Sequence, residues 1–256
     1  MNFNQEVKQR VAENAENEEL KASTKGFIET SLSQQYSYNF SWMGRPIIQY
    51  PQDMIAMQEL IWETQPELII ETGIAHGGSL IFSASMLELN AACGGAQDAE
   101  VLGIDIDIRH NNRKAIEEHP MFRRITMIEG SSIAPEVVAV VLEKAKNKKR
   151  ILVCLDSNHT HDHVLEELKA YAGLVSVGSY CVVFDTVVED TADLCPSDRP
   201  WGKGNNPKTA VWEYLRLLKD GHNATDGAPL SFEIDKQIEN KLLITVAPDG
   251  FLKRVC

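Results

Sequence analysis

The chain has 256 residues, 43% of them hydrophobic, which is enough to bury one large core and a small appendage. Its 25 basic and 37 acidic residues give a net charge of -12. This charge argues against a nucleic acid partner, which would require clustered Lys and Arg, and favours a small molecule or a glycan.

Five cysteines without a C-x-x-C pair indicate neither a disulfide framework nor a thiolate zinc site, and they predict a reducing, cytoplasmic environment. No stretch reaches the ~20 apolar residues that a membrane span requires, and the first 25 residues lack the apolar core of a signal peptide.

Residues 1–50 are predicted to be a helical arm and a covering segment. Residues 4–32 contain helix-forming residues with sparse apolar positions, which predicts an amphipathic helix on the main body or on another subunit. A homo-oligomer is therefore expected. Residues 36–50 are aromatic and rich in turns, and we expect them to pack over the main domain.

Residues 51–256 have a regular pattern and are predicted to form the main domain. Helices are expected at 51–64 and 209–219. Short strands rich in β-branched residues are predicted at 67–72, 100–105, 124–128, 150–155 and 179–184. Because helices separate these strands, they are expected to form a parallel sheet. Two further strands, at 230–235 and 241–247, are predicted to close the sheet as an antiparallel hairpin.

The most informative segment joins the first predicted strand to the next helix. It is an apolar run that ends in Glu71, followed by a glycine-rich turn. The turn contains Gly73, Gly77, Gly78 and Ser79. Glycines let a backbone turn sharply and approach a ligand closely. The dinucleotide pattern G-x-G-x-x-G is absent, and a carboxylate at Glu71 would repel a diphosphate. A cationic cofactor such as S-adenosylmethionine fits better, with Glu71 and the turn at its amino-acid end. A tight turn without a ligand is the alternative.

The second and third predicted strands also end in polar residues. In doubly wound folds an acid at the end of the second strand accepts hydrogen bonds from a ribose, so Asp105 is predicted to bind the cofactor ribose. Gly130 and Ser131 follow the third strand, where an adenine is usually bound. Capping of a helix is the alternative role for such an acid.

The fourth strand leads into Asp156 and His159, and the fifth into Asp185. Ligands of open α/β sheets bind beyond the carboxyl ends of the strands, so both aspartates are predicted to face one crevice, with Asp156 also beside the cofactor. Two carboxylates suit Mg²⁺, which would lower the pKa of a substrate hydroxyl. His159 is the predicted general base. The alternatives are helix capping for the aspartates and a surface position for His159. Zinc at His159, His161 and His163 is disfavoured, because residues two apart point to opposite sides.

Residues 187–206 form a long segment without a regular pattern, which is typical of an active-site lid. Within it, Arg199 and Trp201 suit hydrogen bonding and stacking with a sugar or another cyclic substrate. Attachment of the lid to the core is the alternative role for both residues.

Several of these segments together resemble one family, the cephalosporin hydroxylase-like family, which also contains rhamnosyl O-methyltransferases. The resemblance extends from about Trp42 to the C-terminal strands. It rests on Trp42-x-Gly44-x-Pro46-x-x-Gln49-x-Pro51-x-Asp53, Glu71-Thr-Gly73, Gly77-Gly78-Ser79, Gly103-Ile-Asp105, Glu129-Gly130-Ser131-Ser132, Leu155-Asp156-Ser-Asn-His159 and Asp185-Thr186.

The resemblance implies a Rossmann-like class I methyltransferase, with a doubly wound, mostly parallel seven-stranded sheet. It also implies S-adenosylmethionine, often Mg²⁺, and an oligomeric enzyme that acts on antibiotics, sugars or glycolipids. Related macrolide sugar methyltransferases place a metal aspartate and a catalytic histidine in D-x-x-H, which matches Asp156 and His159. Relatives often carry Glu-Asp after the fifth strand, where this chain has Phe184 and Asp185. Either one metal ligand is missing, or the alignment shifts by one and Asp185-Thr186 fills both places.

The expected function is methyl transfer from S-adenosylmethionine to a hydroxyl of a sugar-containing or natural-product acceptor. An NAD(P)-dependent oxidoreductase is the first alternative, which the glycine spacing and the lack of a Tyr-x-x-x-Lys pair after the fourth strand disfavour. A non-catalytic cofactor-binding homologue is the second, and Phe184 keeps it open.

Overall fold

The computed structural model describes residues 2–194, 198–221 and 229–256. Within these residues, helices lie on both faces of a central sheet. The α-helices are α1 (Phe3–Glu16), α2 (Glu18–Ser33), α3 (Pro51–Thr64), α4 (Gly78–Ala92), α5 (His110–Glu117), α6 (Pro135–Ala145), α7 (His161–Tyr171), α8 (Pro207–Lys219) and α9 (Lys236–Leu242). The strands are β1 (Phe40–Trp42), β2 (Arg45–Ile47), β3 (Leu68–Thr72), β4 (Glu100–Asp105), β5 (Ile125–Glu129), β6 (Ile151–Leu155), β7 (Tyr180–Val183), β8 (Phe232–Ile234) and β9 (Phe251–Arg254).

The central sheet has seven strands in the order β5-β4-β3-β6-β7-β9-β8. The first five in this order run parallel, whereas β9 is antiparallel to both β7 and β8. This arrangement confirms the predicted sheet and the five predicted parallel strands. The order reverses between β3 and β6, and open α/β sheets bind ligands at such a reversal.

The strand β3 shows how the sheet is buried on both faces. All five of its residues are buried. Ile69 packs in the same cluster as residues of α3 and α4, whereas Leu68 and Ile70 pack with residues of α6, α7 and α8. Successive side chains of a strand point to opposite faces, so a strand between two helical layers must be apolar throughout. This leaves the carboxyl edge of the sheet as the accessible place for a site.

The predicted helices at 51–64 and 209–219 are present as α3 and α8. Among the described helices, none combines the length and the apolar character needed to cross a membrane.

The prediction of a strand at 241–247 is wrong. The side chain of Asp235 accepts a hydrogen bond from the Gln237 N–H at 3.0 Å and so caps α9, which occupies the first part of this segment. Positive φ angles at Leu243 (φ 64°) and Asp249 (φ 67°) then turn the chain. The strand that pairs with β8 is therefore β9, which begins at Phe251.

The single helix predicted over 4–32 is also wrong, because Asn17 interrupts it. Asn17 ends α1, and its side chain accepts from the Leu20 N–H at 3.0 Å and caps α2. Further along, the hairpin of β1 and β2 lies against α4, where Trp42 Nε1 donates to Ser85 Oγ at 2.9 Å. The division of the chain at residue 50 stays a prediction.

Candidate active site

A crevice of about 510 Å³ opens beyond the carboxyl ends of the parallel strands. Each of the five strands contributes a residue at or after its end. Of the residues predicted to bind the cofactor or the metal or to act as the base, six line the crevice, namely Gly73, Asp105, Ser131, Asp156, His159 and Asp185. The fold therefore brings these six residues to one cavity.

The other five residues of this predicted set surround the crevice. Gly78 and Ser79 line a cleft of about 50 Å³, which shares Gly73 and Asp156 with the crevice. The remaining three contribute to the packing of the strand ends. They are Glu71, Gly77 and Gly130.

Two glycines of the turn permit close approaches between segments. A Cβ on Gly73, whose φ is +89°, would lie 2.1 Å from the carbonyl oxygen of Asp156. A Cβ on Gly78 would lie 2.1 Å from the carbonyl oxygen of Pro46. The ends of β3 and β6, and the covering hairpin and α4, can therefore pack together only because glycine stands at these positions.

Glu71 lies in the interior beneath this turn. Ser79 Oγ, in the first turn of α4, donates a hydrogen bond to its carboxylate. Burial raises the pKa of Glu71 to about 7, and the hydrogen bond from Ser79 lowers it in part. The carboxylate therefore ties the end of β3 to the start of α4.

Asp105 holds the glycine-rich turn from the neighbouring strand. Its Oδ2 accepts from the backbone N–H groups of Ile74 at 2.7 Å and Ala75 at 3.2 Å. Its Oδ1 accepts from the Asp107 N–H at 3.1 Å. Each carboxylate oxygen carries more than one acceptor site, so Asp105 can still accept from a ligand in the crevice.

Two carboxylates and an imidazole meet in the crevice. The nearest ligand atoms of Asp156, His159 and Asp185 all lie within 4.8 Å of one another, and His159 Nε2 is 3.2 Å from Asp185 Oδ2. Burial, and then the nearby charge of Asp185, raise the pKa of Asp156 well above its usual value. The cluster therefore carries a repulsion between like charges that a cation or a proton would relieve.

The end of β7 presents one carboxylate to the crevice, that of Asp185. Asp185 adopts a left-handed conformation (φ 55°), which aspartate tolerates better than most residues. Phe184, next to it, is 3% exposed and packs in the hydrophobic core, and the buried Thr186 hydroxyl donates to the Pro248 carbonyl at 2.6 Å. Thr186 is thus engaged away from the cluster, and Asp185 provides the carboxylate from this strand.

The predicted lid covers the cluster in part. The ring of Trp201 packs edge-on against His159, with centroids 4.8 Å apart, and the Arg199 guanidinium lies 5.1 Å from the Trp201 centroid. Trp201 lines the crevice. Residues 195–197 of the predicted lid, including Cys195, lie outside the described residues.

His159, His161 and His163 do not share one site. His161 Nδ1 bonds with the Thr209 hydroxyl at 2.9 Å, whereas His163 Nε2 lies 3.0 Å from Ser132 Oγ. His163 Nε2 also lies 3.5 Å from the carboxylate of the buried Glu167. Of the three, only His159 joins the carboxylates, so the three histidines do not form one metal site.

Some residues that line the crevice were not predicted from the sequence. Tyr38 and Gln49 of the covering segment and Val246 of the C-terminal loop also line the crevice. Gln49 belongs to the Trp-Gly-Pro-Gln pattern that carries the family resemblance, so that pattern could have located it. The sequence around Val246 does not predict its place in the crevice, because that place depends on a distant residue. The Val246 N–H donates to the Asp53 carboxylate at 3.0 Å.

Three solved structures, two of CmcI and one of TomG, share this fold over most of their length. The CmcI structure without ligand has a TM-score of 0.55 at 17% identity, covering 86% of this chain and 77% of that one. CmcI with magnesium and S-adenosylmethionine has a TM-score of 0.53 at 18% identity, covering 86% and 78%. The O-methyltransferase TomG of Streptomyces achromogenes, involved in tomaymycin synthesis, has a TM-score of 0.51 at 14% identity, covering 85% and 82%. The fold is that of the class I methyltransferases.

Comparison of sequences assigns the chain to a family, which is more specific than the fold. The model of the Rhamnosyl O-methyltransferase/CmcI family matches residues 34–255. The rhamnosyl O-methyltransferase of Mycobacterium tuberculosis is 33% identical over 207 residues, covering 79% of this chain and 73% of the relative. That of Mycobacterium leprae is 32% identical over 217 residues, covering 84% and 82%. The chain belongs to the Rhamnosyl O-methyltransferase/CmcI family, which confirms the resemblance drawn from its motifs.

Proposed function

We propose that the protein is an S-adenosylmethionine-dependent O-methyltransferase that acts on a hydroxyl of a sugar-containing or natural-product small molecule. The observation that carries this proposal is the cluster of Asp156, His159 and Asp185 in the same crevice as Gly73 and Asp105. Family membership supports it, because the curated relatives are named rhamnosyl O-methyltransferases.

The crevice suits a cationic cofactor. Its volume of about 510 Å³ falls within the usual range of small-molecule sites. Among the described residues that line it there are three aspartates and neither Lys nor Arg, so a sulfonium is favoured over a diphosphate. Asp105 would accept from the ribose hydroxyls, and Ser131 would contact the adenine. When bound, S-adenosylmethionine supplies an electrophilic methyl group.

The acidic cluster suits a hard divalent cation. Asp156 and Asp185 would hold Mg²⁺ through carboxylate oxygens, the ligand type that this ion prefers. The raised pKa of Asp156 supports this assignment, because its main causes are burial and a neighbouring carboxylate. When bound, the ion would lower the pKa of an acceptor hydroxyl.

His159 would remove the proton from the acceptor hydroxyl. With its proton on Nε2, the imidazole donates to Asp185 and keeps the lone pair of Nδ1 for the incoming proton. Asp185 would orient the ring and stabilise the imidazolium. Trp201 packs against the ring and would limit the access of water.

A methyl transfer assay tests the proposal. The acceptors are rhamnosides, the donor is S-adenosylmethionine, Mg²⁺ is present or removed by a chelator, and formation of S-adenosylhomocysteine is measured. We expect His159→Gln and Asp156→Asn each to lower kcat by about 100-fold or more, the usual contribution of a general base or of a metal site. Calorimetric binding of S-adenosylmethionine should survive in both variants.

The control is Asp162→Asn, because Asp162 is exposed in the first turn of α7. Its kcat should equal that of the unmodified protein. Unchanged turnover in Asp156→Asn would remove the metal role. Calorimetric heat with NADH and none with S-adenosylmethionine would replace the proposal by the oxidoreductase alternative.

Self-association through the N-terminal helices and a cytoplasmic location are also proposed. Phe3 is 72% exposed on α1, and Phe27 is 40% exposed on α2, which supports a contact with a second copy. Sedimentation velocity tests the first, and fractionation of the source cells tests the second.

A further inference from the structure

A second cavity, of about 800 Å³, adjoins the crevice, and we call it the outer cavity. On α2, Ile28 lines the outer cavity, and Leu32, about one helical turn further, lines the crevice. In the C-terminal loop, Thr245 lines the outer cavity and its neighbour Val246 lines the crevice. The lining of one cavity therefore continues into the lining of the other along α2 and along the C-terminal loop.

The crevice has limited room for an acceptor. Small-molecule sites of about 300–1,000 Å³ typically hold one drug-sized ligand, and the 510 Å³ of the crevice would be taken largely by the cofactor. An acceptor larger than one ring must therefore extend beyond it. The lid offers a direction, because Trp201 lines the crevice and Lys203 lines the outer cavity.

The charged side chains of the outer cavity are mostly paired within the protein. Glu189 accepts from the Gly204 N–H at 2.8 Å and from Asn206 Nδ2 at 2.5 Å. The ion pairs are Asp190 with Lys208, Glu239 with Lys236, Lys21 with Glu18 and Lys25 with Glu29. Within the described parts of the chain, Lys203 has no such pair. A strongly charged ligand would therefore find few free counter-charges, whereas an uncharged ligand with hydroxyl groups would not need them.

Trp212 provides a fixed aromatic surface in this cavity. It lies on α8, and 46% of it is exposed. Its Nε1 donates to Asp249 Oδ2 at 3.1 Å, and Lys208 Nζ lies 5.7 Å from its ring centroid, so the ring is held on two sides. An immobilised indole with an apolar body near amide and hydroxyl groups, here Asn240 and Thr24, suits the mixed apolar and polar surface of a sugar ring.

We propose that the outer cavity is a second saccharide subsite, which binds the sugar residue next to the one that is methylated. The assignment rests on the proposed function, because it names the acceptor class of the same site. It makes the preferred acceptor a disaccharide or a longer glycoside rather than a single sugar.

Binding measurements test the subsite without methyl transfer. Saturation-transfer NMR on the full chain, with S-adenosylhomocysteine present, would give the Kd of methyl α-rhamnopyranoside and of the methyl glycoside of an α-linked rhamnose disaccharide. We expect the disaccharide to bind about threefold to tenfold more tightly, the usual gain from one aromatic contact. In Trp212→Ala this ratio should fall towards one, whereas Trp212→Phe should keep most of it.

Two further variants complete the design. Trp62→Ala is the matched control, because Trp62 is 53% exposed on α3 and lines neither cavity, and it should keep the ratio of the unmodified protein. Thr24→Trp would fill the outer cavity from α2 and should abolish the gain independently of Trp212.

A ratio near one in the unmodified protein, or a gain that survives both Trp212→Ala and Thr24→Trp, would overturn the subsite. Failure of both saccharides to bind would also overturn it. Tighter disaccharide binding that depends on Trp212, without methyl transfer to either saccharide, would contradict the proposed function and leave the subsite standing.

Discussion

Two carboxylates near the crevice are buried and receive hydrogen bonds from uncharged donors. Glu71 accepts from the Ser79 hydroxyl, and Asp53 accepts from the Thr245 hydroxyl and the Val246 N–H. Burial is the largest cause that raises the pKa of each to about 7. At the residue scale these acids hold backbone segments in place, and they do so at the expense of stability once they are ionised.

Glu71 makes the stability of the protein depend on pH. Its pKa rises from 4.5 in the unfolded chain to about 7 in the folded one, so the folded state binds the proton more tightly between these values. The free energy of unfolding should therefore fall as the pH rises from 4.5 through 7, by up to about 3 kcal/mol from this group. In Glu71→Gln this part of the pH dependence should be lost, as measured by urea unfolding at about pH 5, near the lower end of the shifted range, and at about pH 8, above its upper end.

The control for this measurement is Glu136→Gln, because Glu136 is exposed in the first turn of α6. It should keep the pH dependence of the unmodified protein. An equal slope in Glu71→Gln and in the unmodified protein would contradict the assignment.

At the scale of elements, the start of α4 supports the covering segment. The close approach of the Pro46 backbone to Gly78 places β2 against this helix, and Ile48 and Gln49, which follow β2, line the crevice. The wall of the site therefore depends on a contact between a helix and a hairpin that are distant in the sequence.

Gly78→Ala should destabilise the protein and widen the crevice. The added Cβ would lie 2.1 Å from Pro46 O and 2.7 Å from Ile47 Cα, so the hairpin must move. We expect a loss of about 1–3 kcal/mol in the free energy of unfolding, typical of overpacking, and weaker binding of S-adenosylmethionine. Chemical denaturation and calorimetry measure the two effects.

Gly26→Ala is the matched substitution in a different environment. Gly26 lies within α2, and a Cβ added there would have no other atom within 4 Å, so alanine should raise the free energy of unfolding by about 0.5–1 kcal/mol. A similar loss of stability in both variants would show that the contact with Pro46 is not the cause.

At the scale of the whole molecule, different parts of the first 50 residues contribute differently to the hydrophobic core. Val11 is the buried hydrophobic residue of α1, which packs on α9. By contrast, Ile47 and Tyr50 are 2% and 0% exposed and belong to the same core cluster as α3 and α4. The covering segment is therefore part of the core, whereas α1 is peripheral.

Truncation should separate these two parts. A variant without residues 2–16 should keep cooperative thermal unfolding by circular dichroism, and sedimentation velocity would show whether α1 mediates self-association. A variant without residues 2–50 should lose cooperative unfolding, because it exposes the faces of α3 and α4 that Ile47 and Tyr50 cover. Cooperative unfolding of residues 51–256 near the original midpoint would instead establish the predicted domain boundary.

The parallel strands and the polar residues at their ends were predictable from local pattern. An apolar β-branched run followed by a turn indicates a buried strand, and parallel strands present their carboxyl ends at one edge whatever their order. This is why Asp105, Ser131, Asp156 and Asp185 could be assigned to one crevice before their positions were known. The same reasoning failed at 241–247. This segment has the apolar composition of a strand, but its backbone is held in place by a side chain that is distant in the sequence.

Other features depend on contacts between segments far apart in the chain. Asp53 reaches Thr245 across 192 positions. The covering segment, α2 and the C-terminal loop complete the wall of the crevice, and α2 and the C-terminal loop also line the outer cavity. The position of the Asp185 carboxylate in the crevice, while the Thr186 hydroxyl bonds to Pro248, follows from one left-handed residue and from the packing around it. The local sequence pattern predicts which polar side chains stand at the end of each strand, at the edge of the sheet. Which side chains meet there, and what encloses them, is set by tertiary packing, because burial and distance are properties of the folded chain.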